Sequence, residues 1–322
     1  GSHLSELLTD SAISPMLITG QNLSYIRAID RSSLVKFGDR NLRGLGMSGY
    51  KIIVMVKQVP DQGSKAGLNP DGTIDRARAK RMLNPFDRFA LQAALHTKNT
   101  YGGTVTAISM GPPPAVEILL ESLAHGVDQA FLLSDRRLAA SDTLATAYAL
   151  YKTIEYVGGF DIIYCGLQTT DGDTAQVGPQ LAERLGLPQV TYCEDFAIKD
   201  GKVRARRIIE GGHQEVEVKP PVLVTIANSY HPLEYKSFRG AWKVQRLQRD
   251  KDALEQIVKT VSLDDIGADP ERCGLKGSPT IVAKTEKVGE LGGSCTMHEG
   301  ESTEHMVSEV INSGALNEFL AR

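Results

Sequence analysis

No stretch of this sequence approaches the ~18–20 uninterrupted apolar residues that a membrane-spanning helix requires. Neither sign of charge dominates: 36 Lys+Arg stand against 39 Asp+Glu, a formal net charge of −3. A nucleic-acid binder normally carries a basic balance or a basic face, so that class is set aside. Cysteine is scarce, with Cys165, Cys193, Cys273 and Cys295 the only four in 322 residues. None is at CxxC spacing, and so low a density excludes a disulfide scaffold and favours a reducing compartment. The phosphate-binding glycine patterns are missing too: no GxGxxG follows the first strand and no GxxxxGK[ST] occurs. A GxSxG nucleophile elbow is also absent. Internal repeats and low-complexity tracts are lacking, and 41% apolar with 23% charged residues excludes global disorder. The expectation is a folded, soluble, cytoplasmic protein.

Three segments emerge along the chain. Gly1-Ser2-His3 looks like the scar of a removed expression tag, and residues 4–46 mix apolar runs with Arg27, Arg31, Arg40 and Arg43. Glu6, Asp10, Asp30 and Asp39 make that stretch too acidic for a transit peptide. Residues 1–46 are therefore a tag scar plus an extension with no assigned role. Residues 47–246 have the rhythm of an α/β domain. Short apolar runs at Lys51–Val56, Thr104–Met110, Ala130–Leu133, Asp161–Cys165 and Val222–Ala227 suit strands covered on both faces. Helical patterns at Phe86–His96, Ala115–His125, Leu144–Val157 and Gln176–Leu185 fall between them, with Ser141, Asp142 and Thr143 as candidate caps for the third. Alternating strands and helices predict a doubly wound, mostly parallel sheet. Turn signals at Lys199-Asp-Gly201 and Glu210-Gly-Gly212 predict an antiparallel excursion over Phe196–Val218. Residues 247–322 form a C-terminal arm, expected to open with a helix over Leu247–Val258. It ends on a stripe of Met306, Val307, Val310, Ile311, Leu316, Phe319 and Leu320, and is expected to pack on the domain or on a partner subunit.

Open parallel sheets take ligands beyond the carboxyl ends of their strands. That rule selects the loops Lys57–Asp61, Asn84-Pro85-Phe86-Asp87, Ser109–Pro112 and Gly166–Pro179. In the last, Pro179 belongs in the first turn of a helix, so the helix starts near Gln176. The amides of Val177 and Gly178 then stand at a positive helix end, where Gly178 permits close approach of an anion. Thr169, Thr170, Thr174 and Gln176 add neutral hydrogen-bonding groups. Asp171 and Asp173 either compete with phosphate or cap the turn. His96, His125, His213 and His231 stand singly, without a paired carboxylate. Cys295 and His298, with His305 beyond, lack a full ligand set, so neither a catalytic side chain nor a metal site is assigned. A basic cluster, Arg76, Arg78, Lys80, Arg81 and Arg88, is either a solvated face or a second anion site. A nucleotide holder without acid–base machinery suits a cofactor that performs the chemistry itself.

Ile53–Asp61, Asn84–Asp87, Thr106–Gly111, Asp171–Pro179 and the run Arg207, Glu210-Gly-Gly212, Val216, Pro221–Thr225 occur in this order. Together they resemble the small (β) subunit of electron-transfer flavoproteins over about residues 50–245. The resemblance implies an adenine-nucleotide α-hydrolase-like, Rossmann-like fold paired with an FAD-carrying α subunit. Carried over by position, it implies nucleotide contacts at Met55, Asn84, Pro85, Phe86, Asp87, Met110, Leu167, Gln168, Thr169, Thr170, Asp171, Gly172, Asp173, Thr174, Ala175, Gln176, Val177 and Gly178. The run Asp171–Pro179 looks like the electron-bifurcating branch of the family. That branch holds FAD here, takes hydride from NADH, and divides the electrons between ferredoxin and, through the α-subunit FAD, a partner dehydrogenase. The alternatives are a non-bifurcating β subunit holding structural AMP and an adenine-nucleotide-binding regulatory module. A partner-binding loop is implied at Ala227–Tyr235, with Tyr230 in the place of the family's leucine anchor and His231 and Tyr235 beside it.

Overall fold

The computed structural model describes residues 49–61, 80–281 and 302–312. The 1–46 extension, Arg76, Arg78, Cys295, His298, Leu316, Phe319 and Leu320 lie outside the described residues.

The expected strands and helices form, with ends shifted by a few residues. Strand β1 (Tyr50–Met55) leads through the short antiparallel pair β2 (Gln58–Pro60) and β3 (Arg81–Leu83) into helix α1 (Pro85–Tyr101). Strand β4 (Gly103–Met110), α2 (Val116–His125), β5 (Gln129–Leu133), α3 (Thr143–Val157), β6 (Ile162–Gly166) and α4 (Val177–Leu185) follow. The local causes are visible in the sequence. Pro85 occupies the first turn of α1, where its missing N–H costs nothing, and Gly102, at φ +80°, ends that helix. The Asp142 carboxylate caps α3, accepting from the amides of Leu144 and Ala145 at 3.0 Å each.

Among the described residues the main sheet has nine strands. Strands β7 (Gln189–Lys199), β8 (Lys202–Ile209), β9 (Gly212–Val218) and β10 (Val222–Ile226) complete one side, and β11 (Val258–Val261) forms the opposite edge. The spatial order is β11-β5-β4-β1-β6-β10-β7-β8-β9. Pairing is parallel from β11 through to β7, and β7–β8–β9 is the antiparallel excursion. Side chains of β1 alternate between two buried layers, as the period of a strand requires. Ile52, Val54 and Val56 meet Leu91 and Leu95 of α1, with Leu119 of α2 in the same layer. Ile53 and Met55 belong with Tyr148 and Ile154 of α3 and Leu181 of α4. Each such side chain, fully buried, contributes ~1.5–3 kcal/mol, and two covered faces explain the unbroken apolar runs.

The C-terminal arm departs from the expectation. A helix over Leu247–Val258 is replaced by α5 (Phe238–Leu247) and α6 (Lys251–Ile257), each opened by its own cap. Ser237 Oγ accepts from the Gly240 amide and Asp250 from the Ala253 amide, so two helix starts compete with one continuous helix. Val258 instead begins β11, which pairs with β5 in register from Val258–Ala130 to Val261–Leu133. Leu263, Ile266, Ala268 and Cys273 then bury themselves in the α3/α4 layer. This part of the arm is integral to the sheet. Helix α7 (Thr303–Asn312) exposes Val307, Val310 and Ile311.

Candidate functional site

The carboxyl ends of β1 and β6 bound a cavity of about 710 Å³, within the usual range for small-molecule sites. Helices α1 and α2 cover one face of the sheet and α3 and α4 the other. The connections leaving β1 and β6 therefore diverge, which opens the crevice where ligands bind in such sheets. Its walls are apolar at Met55, Ile108, Met110, Leu138, Leu150 and Cys165. Neutral hydrogen-bonding groups come from Ser141, Thr143, Thr146, Gln168, Thr169, Thr174, Gln176 and Thr280.

Twelve of the sequence-selected residues line this space: Met55, Asp87, Met110, Leu167, Gln168, Thr169, Gly172, Thr174, Ala175, Gln176, Val177 and Gly178. Six do not, and the reasons are physical. Asn84 is fully buried. Its amide nitrogen donates to the Gln168 carbonyl at 2.8 Å, and its oxygen accepts from the Thr170 amide at 3.3 Å. Asn84 is thus a strut behind the loop. Pro85 and Phe86 form the first turn of α1. Thr170 gives its amide to Asn84, Asp173 accepts from the Gln168 side-chain amide, and Asp171 accepts from Lys57. The loop holds Asp173 and Ala175 at φ +54° each, a conformation L-residues seldom adopt.

Helix α4 starts at Val177 with Gln176 as its cap residue, and the Gln176 side chain does not cap the helix amides. The Gln176 carbonyl side chain instead accepts from Thr143 Oγ1 at 2.9 Å, tying the starts of α3 and α4 together. The first-turn amides at Val177 and Gly178 are left to the cavity, which suits an anion or a polar ring edge. Gly178 has a further reason to be glycine. A Cβ there would sit 2.8 Å from the Thr225 methyl and 3.6 Å from Cys165 Cβ. The sequence suggests a glycine kept free for ligand approach; packing of α4 on β10 and β6 already requires it.

Asp87 is the most perturbed carboxyl in the site. Its Oδ2 accepts from the Lys57 amide at 2.8 Å, joining the start of α1 to the end of β1. Gly166, at the end of β6, lies so close that a Cβ there would overlap Asp87 Oδ1. Burial pushes the carboxyl up from 3.8 to about 7, against the lowering effects of Asn84, Lys57 and the Gly166 amide. The Cys165 thiol, buried and facing that carboxyl, is pushed far up, which leaves it inert as a nucleophile. Burial also works to raise the Asp142 carboxyl, but the Ala145 amide, the Thr280 hydroxyl and amide, and the Leu144 amide hold it below the usual range. Through Thr280, residues beyond β11 reach the rim of the cavity, with the hydroxyl 2.8 Å from Asp142 Oδ2.

Sequence reasoning missed Lys57, Ser141, Asp142 and Thr280 as lining residues. Lys57 was within the first loop selected, but only the tertiary pairing turns its side chain to the cleft. Thr280 carries no local signal. In the Ala227–Tyr235 loop, Tyr230 is 4% exposed and stacks on Phe196 at 5.7 Å, whereas His231 and Tyr235 are exposed. Of the basic cluster, Lys80 and Arg81 are exposed and Arg88 lies 3.6 Å from Glu121. No cluster of potential metal ligands occurs among the described residues, and no described helix is long and apolar enough to cross a membrane.

Sheet order and the crevice at the switch point define a doubly wound α/β protein. The family model for the electron transfer flavoprotein domain matches residues 71–252. An electron transfer flavoprotein subunit beta from Thermoanaerobacterium thermosaccharolyticum is 42% identical over 246 residues, covering 74% of this chain and 91% of that protein. The subunit of the same name from Clostridium acetobutylicum is 40% identical over 262 residues, covering 80% and 97%. A third relative, the caffeyl-CoA reductase-Etf complex subunit CarD of Acetobacterium woodii, is 42% identical over 245 residues, covering 76% and 90%. The chain belongs to the electron transfer flavoprotein family, among its β subunits.

Proposed function

We propose that this chain is the β subunit of a cytoplasmic, electron-bifurcating electron transfer flavoprotein that holds FAD in the cleft between β1 and β6. In this reading NADH is the electron donor. Ferredoxin is one acceptor, and an α-subunit FAD leading to a partner dehydrogenase is the other. The observation that carries the proposal is the lining of the cavity. An apolar wall, a row of neutral hydrogen-bonding side chains and the uncapped amides of α4 meet there. Those residues fit a nucleotide. Val177 and Gly178 offer amides for phosphate, Met55 and Met110 an apolar flank for a ring, and Thr169, Thr174 and Gln176 partners for ribose or a base edge.

The flavin, when bound, supplies the redox chemistry itself. The chain's own residues bind it, orient it and exclude water on the side of Ile108, Leu138 and Leu150. The resemblance of Asp171–Pro179 to the bifurcating branch supports FAD over AMP. The Acetobacterium relative, named as part of a reductase complex, supports a dehydrogenase partner. The test is to release and quantify nucleotides from the chain purified with its co-expressed α subunit. Two FAD per heterodimer is the expected result. One FAD plus one AMP would replace bifurcation by the structural-AMP reading, and a chain that binds nucleotide but pairs with no flavoprotein would leave a regulatory module.

A further inference from the structure

Among the described residues lining the cavity, Lys57 is the only lysine or arginine, and the lining carboxylates are Asp87 and Asp142. Asp142 is committed to capping α3 and to Thr280. Among the described lining residues, a phosphate entering this space therefore has one cationic side chain to meet. The backbone of Lys57 is fixed on both sides of its Cα. Its amide donates to Asp87 at 2.8 Å and its carbonyl accepts from the Asn84 amide at 2.9 Å. The side chain is less constrained. Its ammonium lies 2.8 Å from both oxygens of Asp171, on the loop between β6 and α4. The two side chains are 42% and 35% exposed, so water screens the pair and it holds weakly. The dianionic phosphate of AMP, or the diphosphate of FAD with two negative charges over its two groups, beside the amides of α4 is a stronger competitor for the same ammonium than one half-exposed carboxylate.

We propose that Lys57 is the phosphate-selecting residue of this cavity, exchanging its ammonium between Asp171 and a phosphate oxygen of the bound nucleotide. The inference rests on the nucleotide reading above and deepens it. Asp171 is then a placeholder: it keeps the lysine extended across the mouth and ties the loop to β1 until phosphate takes the charge. Two structural consequences separate this from a simple brace. Removing the lysine weakens only phosphate-bearing ligands, and removing the aspartate strengthens them.

The experiment uses calorimetry on the full chain in its purified complex after nucleotide removal, with AMP and adenosine as probes differing only in the phosphate. Lys57→Gln should lower AMP affinity by about ten- to a hundredfold, the loss of one charge-assisted hydrogen bond, and leave adenosine unchanged. Asp171→Asn should raise AMP affinity by about two- to fivefold, the worth of the exposed pair that no longer has to be broken. Lys57→Arg should retain most of the AMP affinity. In the Lys57→Gln background, Asp171→Asn should give no gain, because no ammonium remains to be released. Parallel losses for AMP and adenosine in both single variants would overturn the exchange, as would a gain from Asp171→Asn that persists without Lys57. Failure of the unsubstituted chain to bind AMP, adenosine or FAD would overturn the nucleotide reading and the exchange together.

Discussion

Replacing Asp87 with Asn should flatten the pH dependence of folding stability near neutrality. In the folded chain the carboxyl stands at about 7 against an ordinary value of 3.8, because burial outweighs its hydrogen bonds from Asn84, Lys57 and Gly166. Between those two values the folded chain binds more protons than the unfolded one, so stability falls as pH rises and levels off above the upper value. At 1.36 kcal/mol per unit, the whole interval of about three units caps the change at roughly 4 kcal/mol. Between about pH 5 and about pH 7.5 the unsubstituted chain should lose roughly 2–3 kcal/mol. The Asn variant keeps the shape and one acceptor, but turns an NH2 group toward a second donor. It should therefore carry a constant penalty of about 1–3 kcal/mol and lack that pH-dependent increment. Urea unfolding at the two pH values, with m-values compared, measures this directly. Equal pH slopes in the two proteins would refute the placement of a neutral carboxyl at this junction.

Other outcomes follow from particular contacts. Thr97 Oγ1 donates to the Ala93 carbonyl at 2.9 Å and so accepts from the Tyr164 hydroxyl at 2.8 Å, both residues fully buried. Thr97→Val should thus cost about 1–3 kcal/mol by stranding that hydroxyl, more than the ~0.5–1.5 kcal/mol of Tyr164→Phe; thermal melts with the reverse order would sink the assignment. Gly166→Ala would place a methyl group over Asp87 Oδ1 and 2.8 Å from the Phe86 carbonyl carbon. Both stability and nucleotide affinity should fall, and a variant matching the parent in both would show that the β6–α1 junction has room to spare. Truncation after Ile281 removes α7, whose Val307, Val310 and Ile311 are exposed. The melting temperature of the remaining domain should hold while association with an α subunit weakens; unaltered affinity in sedimentation would assign those side chains another role.

The core of the fold was legible because its signals are local. Runs such as Lys51–Val56 are apolar on both faces only where a sheet is covered twice, and Asp142, Pro85 and Gly102 mark helix ends through their own backbone needs. The loop Gly166–Pro179 stood out as a candidate site for the same reason, since Pro179 fixes the helix start within a residue or two, and it does line the cavity. Other features depended on contacts distant in the chain. Strand β11 has four residues, two of them exposed, and only its register with β5 makes it a strand. Thr280 reaches the cavity because Asp142, 138 positions earlier, has an oxygen to spare. The loop motif around Asn84 combined two physical roles that sequence cannot separate: Asp87 faces the cavity, while Asn84 braces the loop from behind. Sequence alone therefore determined the layered α/β scaffold and the neighbourhood of the cleft, through periodicity and backbone chemistry. Tertiary structure decided which polar groups face the ligand space, because a side chain's direction is set by the partners that burial brings to it.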